Sequence, residues 1–280
     1  MVNHHELKSD TIIKETIESL GALSSSKDFA LNTRTLINLS DPTWSPALSN
    51  FELMAQQKHG AKVIKYIELA AMLPRVAPKS HILDYMCGEG YLTAALRRFG
   101  CNVKGYDKNQ NISWERLGRA NYVSELGNIN SNYRLIILFD VLDNLELFDV
   151  IKILGDLKAL LELEGRIFIR FNPFSSRFGG RQSVNKSHIH LMLSPTELNQ
   201  FNIKLSSGLK VVKPSFFYDE LLKILGYKII QRTVSLNPID DFVYKNIDRI
   251  KYLHYSDDIT IPQISEEISI EAIDYLVKPA

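Results

Sequence analysis

The 280 residues carry 33 Lys and Arg against 32 Asp and Glu, a formal net charge of +1. That balance gives the whole molecule no general attraction to nucleic acid or to an anionic membrane, so any such contact would need a local patch. Hydrophobic residues make up 45% and charged residues 23%, ordinary values for a globular protein with a sizeable core. Cys87 and Cys101 are too few for a disulfide scaffold, and no CxxC or other metal-ligand spacing occurs, so no metal is expected. The start has no apolar signal segment, and no window approaches about 18 uninterrupted apolar residues. A cytoplasmic location without a membrane partner is the expectation.

In chain order, residues 1–60 read as a helical N-terminal extension or cap, with one helix from Asp10-Thr11 to about Leu20 and a Trp44 loop before the next. The helical pattern from Phe51 ends at Pro74 and Pro78. His81–Tyr85 is the first strand, Leu92–Phe99 a helix stopped by Gly100, and Val103–Tyr106 the second strand. A short helix over Trp114–Arg119 precedes a strand near Ala120–Val123. The apolar run Arg134–Phe139 suits a buried parallel strand. Phe148–Leu163 repeats at helical spacing, and Gly165 turns the chain into a strand over Arg166–Phe171.

Residues 172–213 form an insertion after that fifth strand, rich in Arg and Lys. Ser194-Pro195-Thr196-Glu197 is a capping box with proline at the first helical position. A helix over Phe216–Leu225, a turn at Gly226 and a strand over Tyr227–Thr233 follow, with a further strand expected over Asp241–Ile247. The acidic, amphipathic tail at 249–280 reads as a C-terminal extension packed on the domain or supporting a homodimer contact.

The chemistry concentrates at strand ends. Asp84 closes the first strand, and Met86, Cys87, Gly88, Glu89 and Gly90 make the turn into the following helix. Glycine lets a ligand approach the backbone, and the helix start offers unpaired amides. The acids Asp84 and Glu89 suit a cationic aminoacyl group better than a pyrophosphate. Asp107, at the end of the second strand, is placed to accept ribose hydroxyls, and Asp140 ends the fourth.

Asp84-Tyr-Met-Cys-Gly88-Glu-Gly90-Tyr91, then Gly105-Tyr-Asp107, resembles the cofactor-binding core of class I S-adenosylmethionine-dependent methyltransferases. Phe139–Leu145, Leu161–Arg166 and Glu220–Tyr227 resemble the family's later strand entries and exits. The resemblance implies a doubly wound, mostly parallel, seven-stranded Rossmann-like α/β sheet in a methyltransferase domain over 61–248. It also implies S-adenosyl-L-methionine as cofactor, with S-adenosyl-L-homocysteine as product. By position, Asp84 orients the methionine amino end, and Gly88, Gly90 and neighbouring Tyr91 serve the methionine portion and sugar. Asp107 takes the ribose, Lys108 lies beside the adenine, Glu125 stands for the acid after the third strand, and Asp140 and Val141 flank the methionine portion. The family usually has glycine where this chain has Met86. The GxGxxG spacing and Tyr-x-x-x-Lys set of a nicotinamide dehydrogenase are absent.

For the acceptor, alternation through His188, His190 and Met192 suggests an extended segment with both histidines on one side, either one a candidate base. Asn172, directly after the fifth strand, is a further catalytic candidate. Arg177, Arg181 and Lys186 are candidate contacts for an anionic group on the acceptor. The reading is O- or N-methylation of a small molecule such as a sugar or natural-product intermediate, with nucleic acid disfavoured. An RNA or protein methyltransferase, or an inactive partner of another methyltransferase, is the alternative.

Overall fold

The computed structural model describes residues 81–98, 100–129, 132–177, 179, 187–205 and 212–280. The expected helices of residues 1–60, and Arg181 and Lys186, lie outside the described residues. Seven strands form one sheet: β1 (His81–Tyr85), β2 (Asn102–Tyr106), β3 (Tyr122–Val123), β4 (Tyr133–Phe139), β5 (Leu161–Phe171), β6 (Tyr227–Leu236) and β7 (Ile270–Pro279). Their order is β3-β2-β1-β4-β5-β7-β6. The order reverses between β1 and β4, the place where doubly wound sheets bind ligands at their strand ends. β1 runs parallel to both β2 and β4, and β7 runs antiparallel to both β5 and β6.

The described residues divide into two compact units: those from 81 to 137 with 160–166, and those from 138 to 159 with 167–280. In the first, β1 pairs with β2 from His81↔Asn102 to Tyr85↔Tyr106, which puts the Asp84 and Gly105 positions side by side. Helix α1 (Tyr91–Arg98) returns from β1 to β2, burying Leu92, Ala95 and Leu96. Helix α2 (Ser113–Leu117) ends at Gly118, whose φ of 99° is the left-handed turn that releases the chain toward β3.

The second unit holds α3 (Leu147–Leu157), α4 (Ile189–Met192), α5 (Pro195–Gln200), α6 (Ser215–Ile224), α7 (Asp241–Lys245), α8 (Ile247–His254) and α9 (Ile261–Ser269). Phe174, Leu191, Met192, Val243, Ile247, Ile250, Ile264 and Ile268 form an apolar cluster joining these helices to the loop after β5. The capping box at α5 is present in both halves: Ser194 accepts from the Glu197 amide, and Glu197 accepts from the Ser194 amide.

Three sequence expectations are corrected. The expected strand over Asp241–Ile247 is instead helix α7 (Asp241–Lys245) and the start of α8, with Asp240 capping α7 by accepting from the Val243 amide at 2.9 Å. The sheet does not end near residue 248: Ile270–Pro279 of the tail is β7, seated between β5 and β6. Gly165 is inside β5 rather than a turn before it. A Cβ there would sit 2.7 Å from the Tyr133 carbonyl oxygen, so the glycine admits close backbone packing.

Candidate functional site

In the first unit the turn after β1 is pinned from several sides. Its entry residue, Met86, has φ 58°, so this methionine keeps the left-handed backbone at the position where the family usually has glycine. The Cys87 amide donates to Tyr106 O at 2.9 Å, and Trp114 Nε1 donates to Gly88 O at 2.9 Å. The Tyr122 hydroxyl donates to Gly90 O at 2.8 Å. Trp114 stacks on Tyr122 with ring centroids 5.1 Å apart, and both rings are buried. From sequence, Trp114 is only the start of a short helix, and the residues around Tyr122–Leu126 are expected beside the adenine; the hold of both rings on this turn is not foreseen. The available signal was chemical: a buried indole N–H or phenol needs a partner, and the turn's bare carbonyls supply it.

The two turn glycines do different things. Among the described residues, a Cβ at Gly88 would meet nothing within 4 Å, so that backbone is open to a ligand. A Cβ at Gly90 would fall 2.4 Å from Tyr122 Cε1. The bare backbone at Gly90 therefore makes room for Tyr122, a different use from the ligand contact expected of it.

Asp107 stands beside this turn. Its Oδ2 accepts from the Gly88 amide at 3.0 Å and its Oδ1 from the Asn109 amide at 2.9 Å. A carboxylate has about four receiving positions, so roughly two remain for further donors. Asp84 is buried behind it and accepts from the Thr93 hydroxyl at 2.7 Å. Burial pushes its carboxyl up to about 7, with the Thr93 hydrogen bonds opposing that rise. Lys108 and Glu125 are exposed, Glu125 accepting from Asn128 Nδ2 at 3.2 Å, and Tyr91 begins α1.

The second unit contains the other candidates. Asp140 follows β4 with φ 55°, its amide donating to Arg170 O at 2.8 Å and its carbonyl accepting from Asn144 Nδ2 at 2.6 Å. Val141 beside it is buried. Arg170 on β5 is paired with Asp274 on β7 at 3.2 Å in the sheet interior.

The histidines are not on an extended segment. His188 precedes α4 with φ 52°, and His190 is inside that helical turn. Both are buried. His188 Nε2 lies 2.9 Å from Ile268 O, and His190 Nε2 lies 2.6 Å from Phe174 O. A carbonyl oxygen can only accept, so each Nε2 carries its proton and is spent on the backbone. Burial lowers the affinity of both rings for a second proton, His190 to about 4. Asn172 Nδ2 donates to Glu271 O at 2.6 Å, tying the loop after β5 to the start of β7. Arg177 is exposed, and its carbonyl accepts from the His188 amide at 2.9 Å. Among the described residues, no group of three His, Cys, Asp or Glu is arranged to hold a metal, and no helix is long and apolar enough to cross a membrane.

A family model described as a methyltransferase domain matches residues 57–201, more than half of the chain. The chain belongs to the class I S-adenosylmethionine-dependent methyltransferases. No curated protein matches it in sequence. Among solved structures, this methyltransferase is similar to a SAM-dependent methyltransferase from Archaeoglobus fulgidus, at 12% identity and TM-score 0.47, covering 81% of this chain and 99% of that one. It is also similar to the magnesium protoporphyrin IX methyltransferase of Synechocystis PCC 6803, at 14% identity and TM-score 0.49, covering 89% and 99%. A third likeness is the 1,6-didemethyltoxoflavin-N1-methyltransferase of Burkholderia thailandensis, at 13% identity and TM-score 0.46, covering 86% and 92%. Similarities this distant say nothing of this methyltransferase's acceptor.

Proposed function

We propose that this methyltransferase transfers the methyl of S-adenosylmethionine to an oxygen or nitrogen of a small molecule. The observation that carries the cofactor side is the open backbone at Gly88 directly beside the Asp107 carboxylate. Asp107 would receive the ribose hydroxyls at its remaining positions, and buried Asp84 would face the cationic aminoacyl end. A cation there favours the ionised form of Asp84, whose burial otherwise favours the proton. For Tyr91, Lys108, Glu125, Asp140 and Val141, a role at the cofactor rests on the family resemblance.

The cofactor supplies an already activated methyl, so the protein's work is alignment, exclusion of water and, for a hydroxyl acceptor, removal of a proton. His188, His190 and Asn172 serve this indirectly. Their hydrogen bonds to Ile268, Phe174 and Glu271 anchor the insertion, and we assign them positioning roles in place of the proton-transfer role.

A small acceptor is favoured over RNA by the charge arrangement. Among the described residues, Arg119, Arg134, Lys223, Arg232 and Arg249 each pair with a carboxylate, which leaves those cations poorly placed to track a phosphate backbone. Incubation with methyl-tritiated S-adenosylmethionine and a cell extract, followed by size fractionation, tests the reading. Label is expected in the low-mass fraction. Label in RNA or protein would contradict it.

A further inference from the structure

Among the described residues, the buried side-chain polar atoms of the second unit without a hydrogen-bond partner include Ser175 Oγ, Ser176 Oγ, His254 Nε2, Tyr255 Oη and Glu271 Oε2. Ser175 is 1% and Ser176 0% exposed, so neither hydroxyl reaches solvent in compensation. A buried polar group left unmade is costly, and five around one region call for a common explanation.

They belong to three segments that meet at the loop after β5. Asn172 bonds that loop to Glu271 O at 2.6 Å. Phe174, next to Ser175, accepts from His190 Nε2 and packs edge-on against its ring at 4.9 Å. His254 is close enough to His190 to lower its proton affinity further, and its own ring is held by the Leu191 backbone. Tyr255 packs against the same apolar cluster as Phe174. This is the end of β5 that carries Asn172, where sheets of this class present ligand-binding loops.

The charge around the region selects among ligands. The phenol of Tyr218 is raised first by burial and then by Asp143 and Glu267, and that of Tyr255 by burial and then by Glu267. Arg170 and Arg232 in this unit are already matched to Asp274 and Asp219. The field of Arg177 also reaches His188, so the selection rests on the unpartnered Glu271 Oε2, which can only accept: a hydroxyl or ammonium group suits it, and a carboxylate or phosphate does not.

We propose that Ser175, Ser176, His254, Tyr255 and Glu271 are the acceptor-binding groups, and that the acceptor is a hydroxyl- and amine-rich small molecule, sugar-like in its hydrogen bonding, rather than an anion. The proposal rests on the methyltransferase acting on a small molecule, and it replaces the Arg177 contact with a set of hydroxyl, imidazole and carboxylate partners. Three hydroxyls, a ring nitrogen and a carboxylate can together give and receive bonds from several directions, as a polyol requires.

The test uses the full chain. S-adenosylhomocysteine binding is first measured by calorimetry; saturation-transfer NMR on the loaded protein then probes D-glucosamine and D-glucuronate separately. Transfer to glucosamine should exceed transfer to glucuronate. It should fall about fivefold or more in Ser176→Ala and in Tyr255→Phe, the loss of one hydrogen bond each. Removing an unpaired hydroxyl should not lower the melting temperature, and Tyr255→Phe keeps the ring if Ser176→Ala fails to fold. Glucuronate favoured over glucosamine, no transfer to glucosamine, or transfer unchanged in both variants would overturn the proposal while leaving methyl transfer standing. Failure of S-adenosylhomocysteine to bind would instead remove the reading beneath it.

Discussion

The turn after β1 and the loop after β5 are built in opposite ways. The first is local: within the stretch from Asp84 to Tyr122, Asp107, Trp114 and Tyr122 all reach back to the same few backbone atoms. The second is assembled from afar, with Asn172 bonded to Glu271 and His188 to Ile268 across long sequence separations. A locally closed turn can be conserved in shape while a single residue such as Met86 departs from the family pattern. A loop held by distant partners changes whenever any of them does, which suits the side of the enzyme that must choose an acceptor.

The largest effect should come from breaking the distant assembly at its deepest link. Asp274→Ala leaves Arg170 charged and unmatched in the sheet, with an expected loss of about 3–5 kcal/mol in urea unfolding. Replacing both residues with apolar ones of similar volume should recover most of that loss. A single-variant loss under about 1 kcal/mol would mean the pair is not holding β5 to β7.

The local turn should answer to pH. Asp84 takes its proton near 7 in the folded chain and near 3.8 when unfolded, so the folded state holds the extra proton between those values. Stability then falls as pH rises from about 4 to 7, by on the order of 4 kcal/mol, and Asp84→Asn should flatten that fall. The distant assembly has the reverse sign. His190 stays neutral down to about 4, against 6.5 unfolded, so acidification through that window costs about 3 kcal/mol, and His190→Gln should remove the cost. Urea unfolding at pH 4.5, 6 and 8 separates the two. The smallest effect belongs to Met86→Gly, which relieves a left-handed φ and should raise stability by up to about 1 kcal/mol.

The same contrast governs what could be read from the residues. The strands β1, β2 and β4 and the Gly88–Asp107 relation are legible because apolar runs, a turn glycine and a strand-end acid are adjacent in sequence. The capping box of α5 was legible for the same reason. The nature of β7 was hidden: Ile270–Pro279 earns its place only by pairing with β5 and β6, information that periodicity alone does not hold. The helix α7 is hidden in a short apolar string, and its one local sign is the Asp240 cap that accepts from the Val243 amide. His188 and His190 looked like a free pair in an alternating string, whereas their partners are backbone carbonyls at Ile268 and Phe174, which no side-chain pattern advertises.

The most direct measurement is calorimetric titration of S-adenosylmethionine into the unsubstituted chain and into Asp107→Ala. The site at Gly88 and Asp107 predicts saturable binding that weakens about a hundredfold in the variant, as expected when two hydrogen bonds to a charged group are lost. Equal affinity in the two proteins would contradict it.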